Sequence, residues 1–251
     1  MQIDLFLVGI GMGNPDHLTN QAKKALKSAD LIIIPDKGLN KSGLCEIRMA
    51  LCEKLLNPTQ NIAYMDFPSR KNNDVNYLEN VEIWHDQIST AWEQTIISHL
   101  PYGGKIAFMI WGDPTLYDSS LRIVERLRAR RFKINLEVIP GLSAIQLLTS
   151  AHKIPLNNLA GHVTISTGRN LREKGWPEDC ETLVIMLDGE TSFTYLTPER
   201  FFIYWGAYLG MEQEILISGP LDACRDNIIF ERAKARKKIG WVMDIYLLKI
   251  L

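Results

Sequence analysis

Ile3-Asp4-Leu5-Phe6-Leu7-Val8-Gly9-Ile10-Gly11-Met12-Gly13-Asn14-Pro15-Asp16 is an apolar run that breaks into a glycine-rich turn. The run is too short for a helix, and Gly/Pro punctuation stops a strand at Gly9. Beyond it, Thr19 is suited to an N-cap and Ala22, Ala25, Leu26 and Ala29 recur at helical spacing. Leu31-Ile32-Ile33-Ile34-Pro35 is then a continuous apolar, β-branched run of the kind buried on both faces of a parallel sheet. Together these residues predict a strand, a loop, a helix and a second parallel strand.

Working outward, Val81, Trp84, Ile88, Ala91, Trp92, Thr95, Ile96 and His99 step by three and four and predict one long helix over 77–100, stopped by Pro101 and Gly103-Gly104. A strand over 105–110, a loop over 111–118, a helix over 119–130 and a strand over 134–139 continue the α/β alternation. Past Pro140 the rhythm changes. A short helix over 142–150 precedes strand candidates at 162–166, 182–187, 200–205, 214–218 and 242–249. The pattern predicts an α/β protein of two domains: residues 1–140 on a mostly parallel sheet, and 141–251 on a mixed sheet.

Composition narrows the function classes. The chain has 251 residues, 46% of them apolar, with 28 Lys+Arg against 29 Asp+Glu and a formal charge of −1. That is a globular chain without the global field that holds nucleic acid. Cys45, Cys52, Cys180 and Cys224 stand singly, with neither a C-x-x-C pair nor histidines at zinc spacing, so buried free thiols and no metal centre are expected. The N-terminus lacks a basic signal region, and no stretch approaches the ~20 apolar residues of a membrane span. A cytoplasmic protein is the expectation.

Three loops carry the candidate chemistry. Gly9-x-Gly11-x-x-Asn14, with Asp36 ending the next strand, imitates a dinucleotide fingerprint and its ribose acid, which would make the protein an NAD-binding dehydrogenase. Asn14 stands where a small residue is needed, and Pro15 and Asp16 delay the helix, so a structural turn or a loop for another ligand remain as readings. In Trp111-Gly112-Asp113-Pro114-Thr115-Leu116-Tyr117-Asp118-Ser119, Gly112 allows close backbone approach, Pro114 stiffens the turn, and Asp113 sets a carboxylate at a strand end. There Asp113 or Ser119 could equally cap a helix. Val138-Ile139-Pro140-Gly141-Leu142-Ser143-Ala144 is the third strand-to-helix turn, with small residues that leave backbone groups free. Three such loops at strand C-termini of one sheet point to a shared ligand pocket.

In this order the Gly-x-Gly-x-Gly-x-Pro, Trp-Gly-Asp-Pro-Thr-Leu-Tyr and Ile-Pro-Gly-Leu-Ser-Ala segments, the strand Thr182-Leu183-Val184-Ile185-Met186-Leu187, and Ile217-Ser218-Gly219-Pro220-Leu221 resemble the tetrapyrrole methylases. The resemblance spans nearly the whole chain. It implies two αβα domains with the active-site cleft between them, a homodimer, and S-adenosylmethionine as methyl donor, with S-adenosylhomocysteine as product. Carried over by motif, the cofactor residues would be Met12 and Pro15; Trp111, Gly112, Asp113, Leu116 and Tyr117; Ser143 and Ala144; Leu187, where relatives usually have Met; and Ala207. The Trp-bearing segment 81–92 and Ile203-Tyr204-Trp205-Gly206-Ala207-Tyr208-Leu209-Gly210 resemble the members that methylate C1 of a corrin precursor with loss of acetate, taking precorrin-5 to precorrin-6A. Another precorrin, or a sensor on the same fold, is the alternative.

A tetrapyrrole fringed with carboxylates needs basic side chains. Arg70, Lys71, Arg169, Arg172 and Lys174 are candidates, with Arg169 favoured because it follows a strand end. Residues 126–133 form a basic run suited to a helix C-terminus. Acetyl removal would call on water activation, for which Asp113, Tyr117, His152 and Tyr204 are available. No triad or carboxylate pair is legible, and no catalytic residue is assigned.

Overall fold

A computed structural model describes residues 1–36, 42–68, 77–130 and 132–251. Arg70 and Lys71 lie outside the described residues. The chain divides into two compact units, Met1–Ser143 and Ala144–Leu251.

The first unit is built on five parallel strands: β1 (Gln2–Gly9), β2 (Leu31–Asp36), β3 (Ile62–Asp66), β4 (Gly104–Ile110) and β5 (Lys133–Ile139), in the order β3-β2-β4-β1-β5. The continuous apolar runs of β1, β2 and β4 follow from helices on both faces. Even-handed burial is visible in two separate clusters. Ile3, Leu5, Leu7, Ile33, Ile106 and Phe108 face Ile88, Trp92 and Ile96 of α3 (Tyr77–His99) and Ile123, Val124 and Leu127 of α4 (Ser120–Arg128). Val8, Ile32, Ile34, Ala107 and Met109 face Ala22, Ala25 and Leu26 of α1 (Asn20–Ser28) and Leu51 and Cys52 of α2 (Ser42–Leu55). Trp92 stacks on Phe108 with ring centroids 3.6 Å apart, fixing α3 to the middle of the sheet.

Local signals mostly read correctly. Thr19 caps α1, its Oγ1 accepting from Ala22 N at 3.0 Å. The basic run does hold down helix ends: Arg126 meets Glu82 and Asp86 of α3, and Arg130 meets Glu93. Two elements escaped the sequence reading. In α2 the apolar residues are spread around the helix, and β3 is a five-residue edge strand with Tyr64 half-exposed, so neither carries a clear period.

The second unit has strands β6 (Val163–Thr167), β7 (Thr182–Met186), β8 (Phe201–Ala207), β9 (Ile215–Pro220) and β10 (Asp244–Ile250) in the order β6-β7-β10-β8-β9. Only β6 and β7 run parallel; the other neighbours are antiparallel, which makes the sheet mixed. Helix α5 (Ala144–His152) packs on β8, β9 and β10, α6 (Gly168–Lys174) on β6 and β7, and α7 (Leu221–Ile239) on β8 and β9. The sequence reading omitted α6 and α7. Helix α7 is strongly charged along its length and buries only Leu221, Ile228 and Ala235, so its apolar stripe is sparse. Among the described residues no helix is long and apolar enough to cross a membrane.

Candidate functional site

Strands β4, β1 and β5 are neighbours, so the loops that follow them emerge side by side at their carboxyl ends. They are interlocked by backbone. Gly11 and Gly112 form an isolated antiparallel bridge, Gly112 N donating to Gly11 O at 2.8 Å and Gly11 N to Gly112 O at 3.3 Å. Gly141 packs against both loops: a Cβ on Gly9 would lie 2.5 Å from Gly141 N and 2.8 Å from Gly112 O. Bare backbone is therefore required at the junction, which is the physical content of the glycine motifs.

Asp113 ties the same junction together. One carboxylate oxygen accepts from Thr115 N (2.8 Å) and Thr115 Oγ1, the other from Gly141 N at 3.0 Å. The residue expected to present a free carboxylate is thus a staple between the second and third loops. Burial alone would push its carboxyl up, but the bonds from Thr115 and Gly141 outweigh it and hold the pKa below the ordinary 3.8. A carboxyl depressed by folding contributes stability in full above its unfolded value and loses it as pH falls through the folded one. The wild type is accordingly expected to lose, below about pH 4, a stability increment that Asp113→Asn lacks at every pH. Urea unfolding at stepped pH reads this difference, and parallel acid profiles would remove Asp113 from the account.

The dinucleotide reading finds no helix to serve it. Asn14 Oδ1 accepts from Asp16 N at 2.9 Å and opens a one-turn 3-10 helix, Pro15–His17, while α1 begins only at Asn20. Met12 is buried within this loop. Trp111 follows β4 directly, and Gly13 sits beneath it: a Cβ there would lie 3.2 Å from the indole ring. Leu116 is half-buried, Tyr117 is exposed, and Ser143 is buried beside Gly112.

In the second unit Ala144 opens α5, Leu187 immediately follows β7, and Ala207 ends β8, paired in register with Asp244 of β10. Two of the expected residues are strained in the same way. Tyr117 (φ 51°, 44% exposed) and Leu187 (φ 55°, 67% exposed) hold left-handed backbone that costs an L-residue roughly 1–2 kcal/mol, with an apolar side chain in solvent. Such strain persists where the surroundings enforce it, and it gathers at ligand loops. Left-handed backbone also occurs at Lys153, Ala160, Asp179, Thr191 and the buried Tyr208 next to Ala207.

Arg169 is an exposed residue in the first turn of α6. Arg172 is not available to a substrate: it donates to Ser192 Oγ at 2.7 Å and pairs with Asp188 and Glu190. His152 is likewise engaged. Its Nε2 lies 3.0 Å from the Trp205 carbonyl, an acceptor only, so that nitrogen carries the proton. Its ring meets Tyr204 edge-on. Burial pushes the Cys52 thiol up to about 11 and those of Cys45 and Cys224 also upward, away from the reactive thiolate.

Sequence reasoning missed three features. Arg48 of α2 lies over the Trp111 ring, its guanidinium carbon 5.0 Å from the centroid. His85, buried in α3, has Nε2 2.9 Å from Ser119 Oγ, while Asp118 Oδ1 accepts from Ser120 N at 2.7 Å at the start of α4. Asp188, one residue beyond Leu187, is 6% exposed and accepts from Ser192 N and Oγ, Glu190 N and Tyr246 OH. Arg232 joins the Asp188 carbonyl to the Asp244 carboxylate, which also takes a bond from Trp205 Nε1 at 3.0 Å. Only the fold brings these residues together; an isolated Arg, His or Asp carries no signal of it.

Comparison with known proteins places this geometry. The family model of the Tetrapyrrole (Corrin/Porphyrin) Methylases matches residues 4–224. The precorrin-6A synthase [deacetylating] of Sinorhizobium sp is 44% identical over 248 residues, covering 98% of this chain and 94% of that protein. A solved cobalamin synthesis related protein (CobF) from Corynebacterium diphtheriae superposes with a TM-score of 0.83 at 35% identity, covering 99% of this chain and 98% of that one. Uroporphyrin-III C-methyl transferase from Thermus thermophilus, solved with S-adenyl homocysteine, shares the fold at a TM-score of 0.61 and 17% identity, over 98% and 97% of the two chains. With the model matched over most of its length and a relative this similar from end to end, the chain belongs to the tetrapyrrole methylase family of methyltransferases.

Proposed function

We propose that this methyltransferase converts precorrin-5 to precorrin-6A, moving a methyl group from S-adenosylmethionine to ring carbon C1 with S-adenosylhomocysteine left behind, while water takes up the acetyl group as acetate. The observation that carries the reading is the end-to-end likeness to the Sinorhizobium precorrin-6A synthase. The donor supplies an electrophilic methyl on a sulfonium, and the chain's task is to hold it in line with the acceptor carbon.

The residues fit such a donor. A sulfonium taken from water needs oxygen dipoles around it, and the glycine junction of Gly9, Gly112 and Gly141 packs the three loops backbone against backbone, which supports reading their tips as a shared carbonyl-bearing cradle. We assign to the cofactor Met12, Pro15, Trp111, Gly112, Asp113, Leu116, Tyr117 and Ser143 in the first unit, and Ala144, Leu187 and Ala207 in the second. Asp113 acts by holding two loops together, and the strained, exposed Leu187 and Tyr117 offer apolar surface to the adenosine. Arg169 is read as a substrate contact, and the working form as a cytoplasmic homodimer.

Incubation with S-adenosylmethionine and precorrin-5 is expected to yield one acetate per methyl transferred. Methylation without acetate would move the chain to another precorrin, and NAD binding without S-adenosylhomocysteine binding would overturn the reading altogether.

A further inference from the structure

Four partly exposed arginines of this protein, Arg126, Arg130, Arg172 and Arg232, each meet a carboxylate. Arg48 does not. Its Nε donates to Met109 O at 3.1 Å and its Nη1 to Leu44 O at 3.2 Å, two neutral carbonyls, although the residue is only 7% exposed. Among the described residues Nη2 has no acceptor, yet that atom is not sealed from solvent.

The charge is costly where it stands. Burial pushes its pKa down to about 10, opposed only in part by the nearby Asp118 carboxylate, so it remains a cation at neutral pH. Burying an ion without a bonded counter-charge carries a desolvation penalty that stacking on an indole offsets only in part. The ring beneath it has its own shortage: Trp111 Nε1 is sealed and finds no acceptor. Gly13 of the first loop closes on the same ring, and a Cβ there would come within 2.5 Å of Ile47 Cγ2. Two donor side chains thus meet at the tip of the loop cluster with no carboxylate bonded to either among the described residues, Asp118 acting on Arg48 only through space.

We propose that Arg48, laid on the Trp111 ring, forms a subsite for a ligand carboxylate, supplied either by an acidic arm of the tetrapyrrole or by the amino-acid end of the methyl donor. The identity of the ligand rests on the function proposed above. A guanidinium fork held flat on an indole presents its remaining N–H groups in the geometry a carboxylate accepts. The subsite would explain why an uncompensated cation is kept in a position where an apolar side chain would pack more cheaply.

Arg48→Met separates this from a packing role. Removing an unpaired buried charge is expected to leave the unfolding midpoint equal or higher, while binding weakens about tenfold or more. Binding is read by titrating S-adenosylhomocysteine, methylthioadenosine, which lacks the amino-acid carboxylate, and a stable polycarboxylate porphyrin. Loss of porphyrin affinity alone assigns the subsite to the substrate. Loss of S-adenosylhomocysteine affinity with methylthioadenosine unchanged assigns it to the cofactor. Arg48→Gln, which retains a donor for the Met109 carbonyl, serves if the Met variant does not fold. Wild-type affinity for all three probes in a folded variant overturns the subsite alone. A wild type that binds none of the probes overturns the proposed function and the subsite with it.

Discussion

Gly141→Ala is expected to destabilise the first unit by about 3 kcal/mol, near the upper end of what one added methyl group does. The new Cβ would overlap the Gly112 carbonyl oxygen and stand 2.9 Å from Gly9 Cα. Both obstacles are backbone, one at the end of β1 and one in the loop after β4, so no rotamer change relieves them. The Gly141 N–H that Asp113 holds would move as well, loosening the second loop. Gly189→Ala is the matched control, because nothing lies within 4 Å of a Cβ there. It should be neutral or slightly stabilising through the unfolded chain, by about 0.5 kcal/mol. Urea unfolding of the pair measures the difference, and equal midpoints would show that the three loops can part without loss.

Asp188→Ala should cost about 3–5 kcal/mol, the range seen when one partner of a buried polar cluster is removed. Ser192 Oγ and Tyr246 OH each lie 2.7 Å from the carboxylate, and Arg172 lies 3.5 Å away. Burial and the neighbouring Asp188 push the Tyr246 phenol far up, so it stays a neutral donor and would lose its only side-chain acceptor. Asp188→Asn should recover little, since its amide would turn N–H groups toward donors. Tyr246→Phe, which takes away one donor and leaves the rest, should cost about 1 kcal/mol. If Asp188→Ala behaves like Tyr246→Phe, the cluster is not a cooperative unit. The cluster also holds the turn that carries Leu187 and the left-handed Thr191, so the same variant should loosen the loop assigned to the cofactor.

The parts of this fold that were legible in the sequence are those where one local rule dominates. Continuous apolar runs announced β1, β2 and β4, and Thr19 announced its helix. Helix α7 and strand β3 were hidden because their burial is set by neighbours distant in sequence, and only a few of their side chains are covered. For the site, glycine and proline spacing located the three loops, because close backbone approach leaves its mark as missing side chains. The same spacing carries no sign of the bond from Gly141 to Asp113, because the two lie 28 residues apart. Arg48 left no mark at all: a charged residue in a helix reads as solvated surface until the fold buries it.

The strand order of the second unit also sets a timetable for synthesis. In the first unit the sheet is complete once β5 has been made, and both its edges are filled by strands already available. In the second, β10 is the last element in sequence and the middle strand in space, lying between β7 and β8. A nascent chain that has reached α7 therefore holds two half-sheets, β6-β7 and β8-β9, each with an apolar edge waiting for a partner. Chains emerge from the ribosome at about 5–20 residues per second, so this interval is brief, but it is when unpaired strand edges invite aggregation. Asp244, at the start of β10, brings with it the acceptor for Arg232 and Trp205, so the arriving strand also delivers the charge that locks it in place.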